Sequence, residues 1–118
     1  ILTALLTLSN AAFASKAIVC RAQGAAAGQG YEIELLGAGD QLLISFNGKK
    51  QAVLPATDSS LDFGSGKGNS ITYTQSRLNG LQVVLTSRGS AETASAIVKR
   101  GGVAGYQPIA ELKVCQSK

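Results

Sequence analysis

An all-β domain, a small antiparallel barrel or sandwich of about seven or eight strands, is what this chain predicts. Three observations carry the prediction. Apolar residues recur with a period of two rather than 3.6 through almost every segment from Ala17 onward. Turn residues punctuate those segments at short intervals, with fourteen Gly and only two Pro in 118 residues. The chain's two cysteines, Cys20 and Cys115, stand in its first and last predicted strands, and each is the other's one possible partner. A bridge between them would tie those strands together and close nearly the whole domain into one covalent loop.

The chain opens on an uncharged apolar run, Ile-Leu-Thr-Ala-Leu-Leu-Thr-Leu, and Ala12-Phe13-Ala14 fits the small-x-small pattern of a signal peptidase site. Residues 1–14 are therefore expected to be the remnant of a cleaved export signal, entered without its Met and basic region, and residues 15–118 a single β-domain. The run is too short to cross a bilayer, so no membrane span is expected. Export to a periplasmic or extracellular compartment agrees with a persistent disulfide. Val19 occupies the place where lipidation of Cys20 would need a small residue.

Residues 17–23, Ala-Ile-Val-Cys-Arg-Ala-Gln, form the first predicted strand. Tyr31, Ile33 and Leu35 share one parity and Glu32 and Glu34 the other, as in a half-buried strand. Leu42, Ile44 and Phe46 repeat the pattern beyond a Gly-Ala-Gly-Asp turn at 37–40. Asn47-Gly48 then predicts a hairpin, because both positions tolerate positive φ, and places Lys49 and Lys50 at its tip. Pro55 is expected to end the following strand or confine it to a sheet edge. Residues 57–70 read as a long glycine-rich loop.

Asn79-Gly80 predicts a second hairpin, between Ile71 and Tyr73 on one side and Leu81, Val83 and Leu85 on the other. Thr93, Ile97 and Val98 favour a strand over a short helix in the alanine-containing stretch that follows. Residues 101–108 are expected to be a loop and residues 109–116 the last strand. In that strand Ala110, Leu112 and Val114 share the apolar parity, which leaves Cys115 on the opposite side. Either the bridge lies on the outer face or a bulge resets the register.

The formal charge is +4, from eleven Lys and Arg against seven Asp and Glu. Lys49-Lys50 and Lys99-Arg100 are the adjacent basic pairs, and no basic stripe or aromatic platform of the kind nucleic acid requires accompanies them. Histidine is absent, which removes the commonest general base, the Ser-His-Asp and Cys-His systems and imidazole metal sites. No cofactor or metal is expected. Glu32 and Glu34 are the nearest pair of acids, but as a hydrolytic pair they would need a cleft that raises the pKa of one member. A non-enzymatic protein is the expectation.

The glycine-rich stretch holds Ser65-Gly66-Lys67-Gly68. It lacks Walker spacing and EF-hand spacing alike. The succession of a cysteine strand, the Phe46-Asn47-Gly48-Lys49 hairpin, a leucine strand, the Ser-Gly-Lys-Gly loop, Tyr73, an apolar strand, Ser87-Arg88-Gly89 and a terminal cysteine is similar to the membrane-bound and periplasmic inhibitors of c-type lysozyme. Ile71 stands where that family has its motif tyrosine, with Tyr73 two residues on, and the family's tryptophan is missing. The resemblance implies an eight-stranded disulfide-bonded barrel whose loop enters a glycosidase cleft. Ser65, Gly66, Lys67, Gly68, Tyr73 and Arg88 would then meet a protein partner, a lysozyme as the resemblance implies, with Ser65 hydrogen-bonding catalytic carboxylates and Lys67 or Arg88 pairing with an acid. The alternative expectation is an envelope structural or adhesive protein that binds anionic glycan through Lys49, Lys50, Lys99 and Arg100.

Overall fold

The computed structural model describes residues 18–62, 68–88 and 93–117. The expected export signal and the Ser65, Gly66 and Lys67 positions lie outside the described residues. Nine strands follow one another: β1 (Ile18–Arg21), β2 (Tyr31–Leu36), β3 (Gln41–Phe46), β4 (Lys49–Asp62), β5 (Gly68–Thr74), β6 (Leu81–Ser87), β7 (Ser95–Gly102), β8 (Gly105–Leu112) and β9 (Val114–Ser117). Each strand from β1 to β7 pairs antiparallel with the next, and β9 returns to β1. Since β8 and β9 are separated by Lys113 alone, they act as one ribbon whose first part pairs with β7 and whose last part pairs with β1. The result is a nearly closed up-and-down barrel, and closure leaves little edge for another chain to pair with.

Inward residues form rows that run round the wall. Cys20, Ile33, Ile44 and Ala52 face one another in register across β1 to β4, and all are buried. Tyr73, Val83 and Val98 continue across β5 to β7, with Leu54, Leu81, Leu85, Ala96 and Leu112 filling the interior around them. The period-two alternation of the sequence is thus the alternation of barrel interior and outer wall.

Cys20 and Cys115 lie directly opposite in the β1·β9 pair, with Cα atoms 4.1 Å apart and the disulfide formed. Both are buried, Cys20 completely. The register puzzle of the last strand is settled by the interruption at Lys113. Leu112 and Cys115 both point inward although three positions apart, so the break resets the parity and turns Val114 outward. With its sulfur in the bridge, Cys20 is also unavailable for lipidation.

Three expectations about connections need correction. Pro55 does not end a strand, because β4 continues to Asp62. Ala56 N–H donates to Asp40 O on the β3 side, so the neighbouring Pro55 nitrogen faces β5, where the ladder only begins at Ala56. No ladder bond is lost, and a register shift between Ala56 and Asp58 hands the strand from one partner to the other. The loop expected at 57–70 is mostly strand, since β4 and β5 pair from Ala56↔Tyr73 out to Asp62↔Gly68. The loop expected at 101–108 is a hairpin as well, with Gly102↔Gly105 flanking Val103 and Ala104. The Tyr106 ring lies over Gly101, where a Cβ would come within 3.1 Å of it.

Candidate functional site: the cationic rim

In an up-and-down barrel every second connection falls at the same end. The β1–β2 connection (22–30), the Asn47-Gly48 turn, the β5–β6 connection (75–80) and the Val103-Ala104 turn therefore share one rim. Hydrogen bonds join them in neighbouring pairs. Asn47 N–H donates to Gly30 O at 3.0 Å, and Gly30 N–H donates to Asn47 Oδ1 at 2.7 Å. On the far side, Gly101 N–H donates to Gly80 O at 2.9 Å, and an Arg100 Nη1–H donates to Asn79 O at 3.1 Å.

Cations concentrate on this rim. Arg21 ends β1, Lys49 and Lys50 begin β4, Arg77 sits in the 75–80 connection, and Lys99 and Arg100 lie near the end of β7. Lys49, Lys50, Arg77 and Arg100 are exposed, and Lys99 is half-buried on the outer wall. Glu32 is the acid nearest the rim, opposite Arg21 across the β1·β2 pair. Asp40 lies in a turn at the other end, and Asp58 and Asp62 lie on the half of β4 that runs towards it. Among the described residues, positive charge is thus gathered at one end of the barrel. A cluster of like charges with few intervening acids creates a positive potential over that end, which attracts anions at low ionic strength.

The four basic residues expected to hold anionic glycan lie at one end of the barrel, Lys49 and Lys50 on β4 and Lys99 and Arg100 on β7, with β5 and β6 between them. Arg21 and Arg77 extend the set and were missed because neither belongs to a basic pair. Their signal was topological, each lying at a chain reversal on the same end.

The residues expected to meet a protein partner fare differently. Ser65, Gly66 and Lys67 lie outside the described residues. Gly68 begins β5, and Asn69↔Ser87 pairing places it next to exposed Arg88, at the end opposite the cationic rim. Arg88 N–H donates to Thr93 Oγ1 at 3.1 Å. Tyr73, expected on the partner's side, is instead completely buried. Its hydroxyl donates to Gly39 O at 2.6 Å inside the barrel mouth. Burial, with a smaller contribution from the Asp40 carboxylate, pushes its pKa up to about 12.

Glu32 and Glu34 project from the outer wall, with Glu32 opposite Arg21 and Ser45 and Glu34 opposite Val19 and Leu43. Among the described residues no three Cys, Asp or Glu gather as metal ligands, and no helix is long and apolar enough to cross a membrane. No family model matches the chain, and comparison with curated proteins and with solved structures yields no match either.

Proposed function

We propose that this chain is an exported, non-enzymatic binding protein of the periplasm or cell surface that holds anionic envelope glycan against the cationic rim. The observation that supports this reading is the convergence of Lys49 and Lys50 from one hairpin with Lys99 and Arg100 from another on a single end of the barrel. A flexible anionic polymer needs no deep pocket. It needs several cations spaced over a rigid support, and a disulfide-closed barrel supplies one. The disulfide suits an oxidising compartment.

The test is retention on immobilised phosphate-bearing polysaccharide as salt is raised. Binding that weakens steeply with salt, and that falls about tenfold in a Lys49→Glu, Lys50→Glu double variant, is the expected result. Retention insensitive to salt would count against the reading.

A second reading keeps the likeness to lysozyme inhibitors. It is favoured by the closed barrel with bridged outer strands, and by the adjacency of Gly68 and Arg88 at the opposite end. In this reading the Ser65, Gly66, Lys67 and Gly68 stretch enters a glycosidase cleft and Arg88 pairs with an acid there. Tyr73, being buried, takes no part. A muramidase assay with wild-type and Ser65→Ala protein decides it, and lysis unaltered by the wild type removes it.

A further inference from the structure

We infer that the cationic rim docks on an anionic lipid bilayer, with Leu78 and Val103 entering between the headgroups while Arg77, Lys99 and Arg100 pair with lipid phosphates. The inference starts from the same cationic rim as the reading above and gives that rim a second ligand.

Leu78 is 82% exposed and Val103 108% exposed, far beyond the other large apolar side chains among the described residues. Both occupy connection tips at the rim. The two tips are neighbours, because Gly101 N–H bonds Gly80 O and Arg100 bonds Asn79 O. Arg77 precedes Leu78 directly, and Arg100 lies three residues before Val103. Two aliphatic tips beside fixed cations reproduce the pattern of an interfacial anchor, in which apolar groups leave water and cations stay with the headgroups.

A glycan chain offers phosphates and hydroxyls but no apolar phase for these side chains. A bilayer offers both. The outer wall beside the Val103 tip continues the pattern, since Tyr106, opposite Gly101 and 37% exposed, brings an aromatic ring to the same end. Aromatic side chains favour the boundary between water and hydrocarbon.

The chain contains no tryptophan, so Leu78→Trp introduces a single fluorescent reporter at the tip. Its emission should shift to the blue with vesicles of phosphatidylcholine and phosphatidylglycerol, and stay unmoved with phosphatidylcholine alone. In co-sedimentation, a Leu78→Gln, Val103→Gln double variant, which leaves the charge of the rim unaltered, should lose about tenfold or more of its binding to the anionic vesicles. Both side chains are exposed, so the variant should keep the wild-type melting temperature. Its retention on soluble phosphate-bearing polysaccharide should be unchanged, which separates insertion from charge. An unmoved emission, or vesicle binding by the double variant equal to that of wild type, overturns the inference. Binding to polysaccharide without binding to vesicles overturns it while the glycan reading stands, and binding to neither removes both.

Discussion

The Tyr73 hydroxyl donates to the carbonyl oxygen of Gly39 at 2.6 Å, tying the middle of the barrel wall to a turn 34 residues earlier in the chain. The ring is fully buried, so the phenol carries both packing area and a polar atom that must be satisfied. Replacing Tyr73 by Phe leaves Gly39 O without this donor while keeping the ring, a loss of about 1 to 2 kcal/mol. Denaturant unfolding of the two proteins at neutral pH measures it.

The same group sets an alkaline limit. Its pKa is about 12 in the folded chain, against an ordinary value of 10.0. The unfolded chain therefore releases the proton first as pH rises. Stability linked to Tyr73 is fully present below pH about 10 and is lost progressively as pH climbs towards about 12, by on the order of 2 kcal/mol with some allowance for solvent near the turn. Tyr73→Phe should flatten that decline. Melting curves taken at pH 9 and pH 11.5 check it, and parallel declines in both proteins would refute the linkage.

The disulfide spans 95 residues of sequence. Chain-entropy arguments give about 4 to 5 kcal/mol for a loop of that size, with about 2 to 4 kcal/mol the commoner outcome. The bond also holds β9 on β1, the pair that completes the barrel wall. Reduction, or a Cys20→Ala, Cys115→Ala double variant, should lower the unfolding midpoint accordingly, and amides of β1 and β9 should lose hydrogen-exchange protection before those of β6 and β7.

Gly80 is constrained by space rather than by backbone conformation. A Cβ there would sit 2.5 Å from Gln75 O and 2.8 Å from Arg77 O, both backbone atoms that cannot swing aside. Gly80→Ala should cost about 1 to 3 kcal/mol and loosen the bond from Gly101 N–H to Gly80 O. Thermal unfolding reads the cost, and exchange at the Gly101 amide reads the loosening.

This position also shows where the sequence stops being legible. Asn-Gly predicted a tight hairpin at both 47–48 and 79–80, and at the first it is one, with φ of 51° at Asn47 and 80° at Gly48. At the second, only Asn79 has positive φ, and the connection runs six residues, 75–80. The dipeptide carries the same local preference in both places, but closure of the wall at Gly101 decides the second. The parity of Leu112 and Cys115 was likewise readable only as a conflict, because nothing local marks Lys113 as the break. Pro55 misled for a related reason, since its cost depends on which way its nitrogen faces. Alternation in β2, β3 and β6 and the pairing of the cysteines were legible, because each is a property of the residues themselves. The rim was half legible. Adjacent cations can be read along the chain, whereas the meeting of two hairpins at one end follows from topology.

Asn47 offers a way to separate backbone strain from hydrogen bonding at that rim. Its φ of 51° lies in the left-handed region, and its Oδ1 accepts from Gly30 N–H at 2.7 Å. Asn47→Gly removes the side-chain acceptor but adopts the backbone freely, so it should cost about 0.5 to 1.5 kcal/mol, the worth of one hydrogen bond. Asn47→Ala loses the acceptor and adds left-handed strain, so its cost should exceed that of the glycine variant by about 1 kcal/mol. Asn47→Asp keeps an acceptor and tolerates the conformation, and should fall nearest to wild type. Equal destabilisation by alanine and glycine would show that the turn relaxes out of the left-handed region when the bond to Gly30 is gone. In that event the same substitutions would shift Lys49 and Lys50 on the rim, and glycan retention would fall in step with stability.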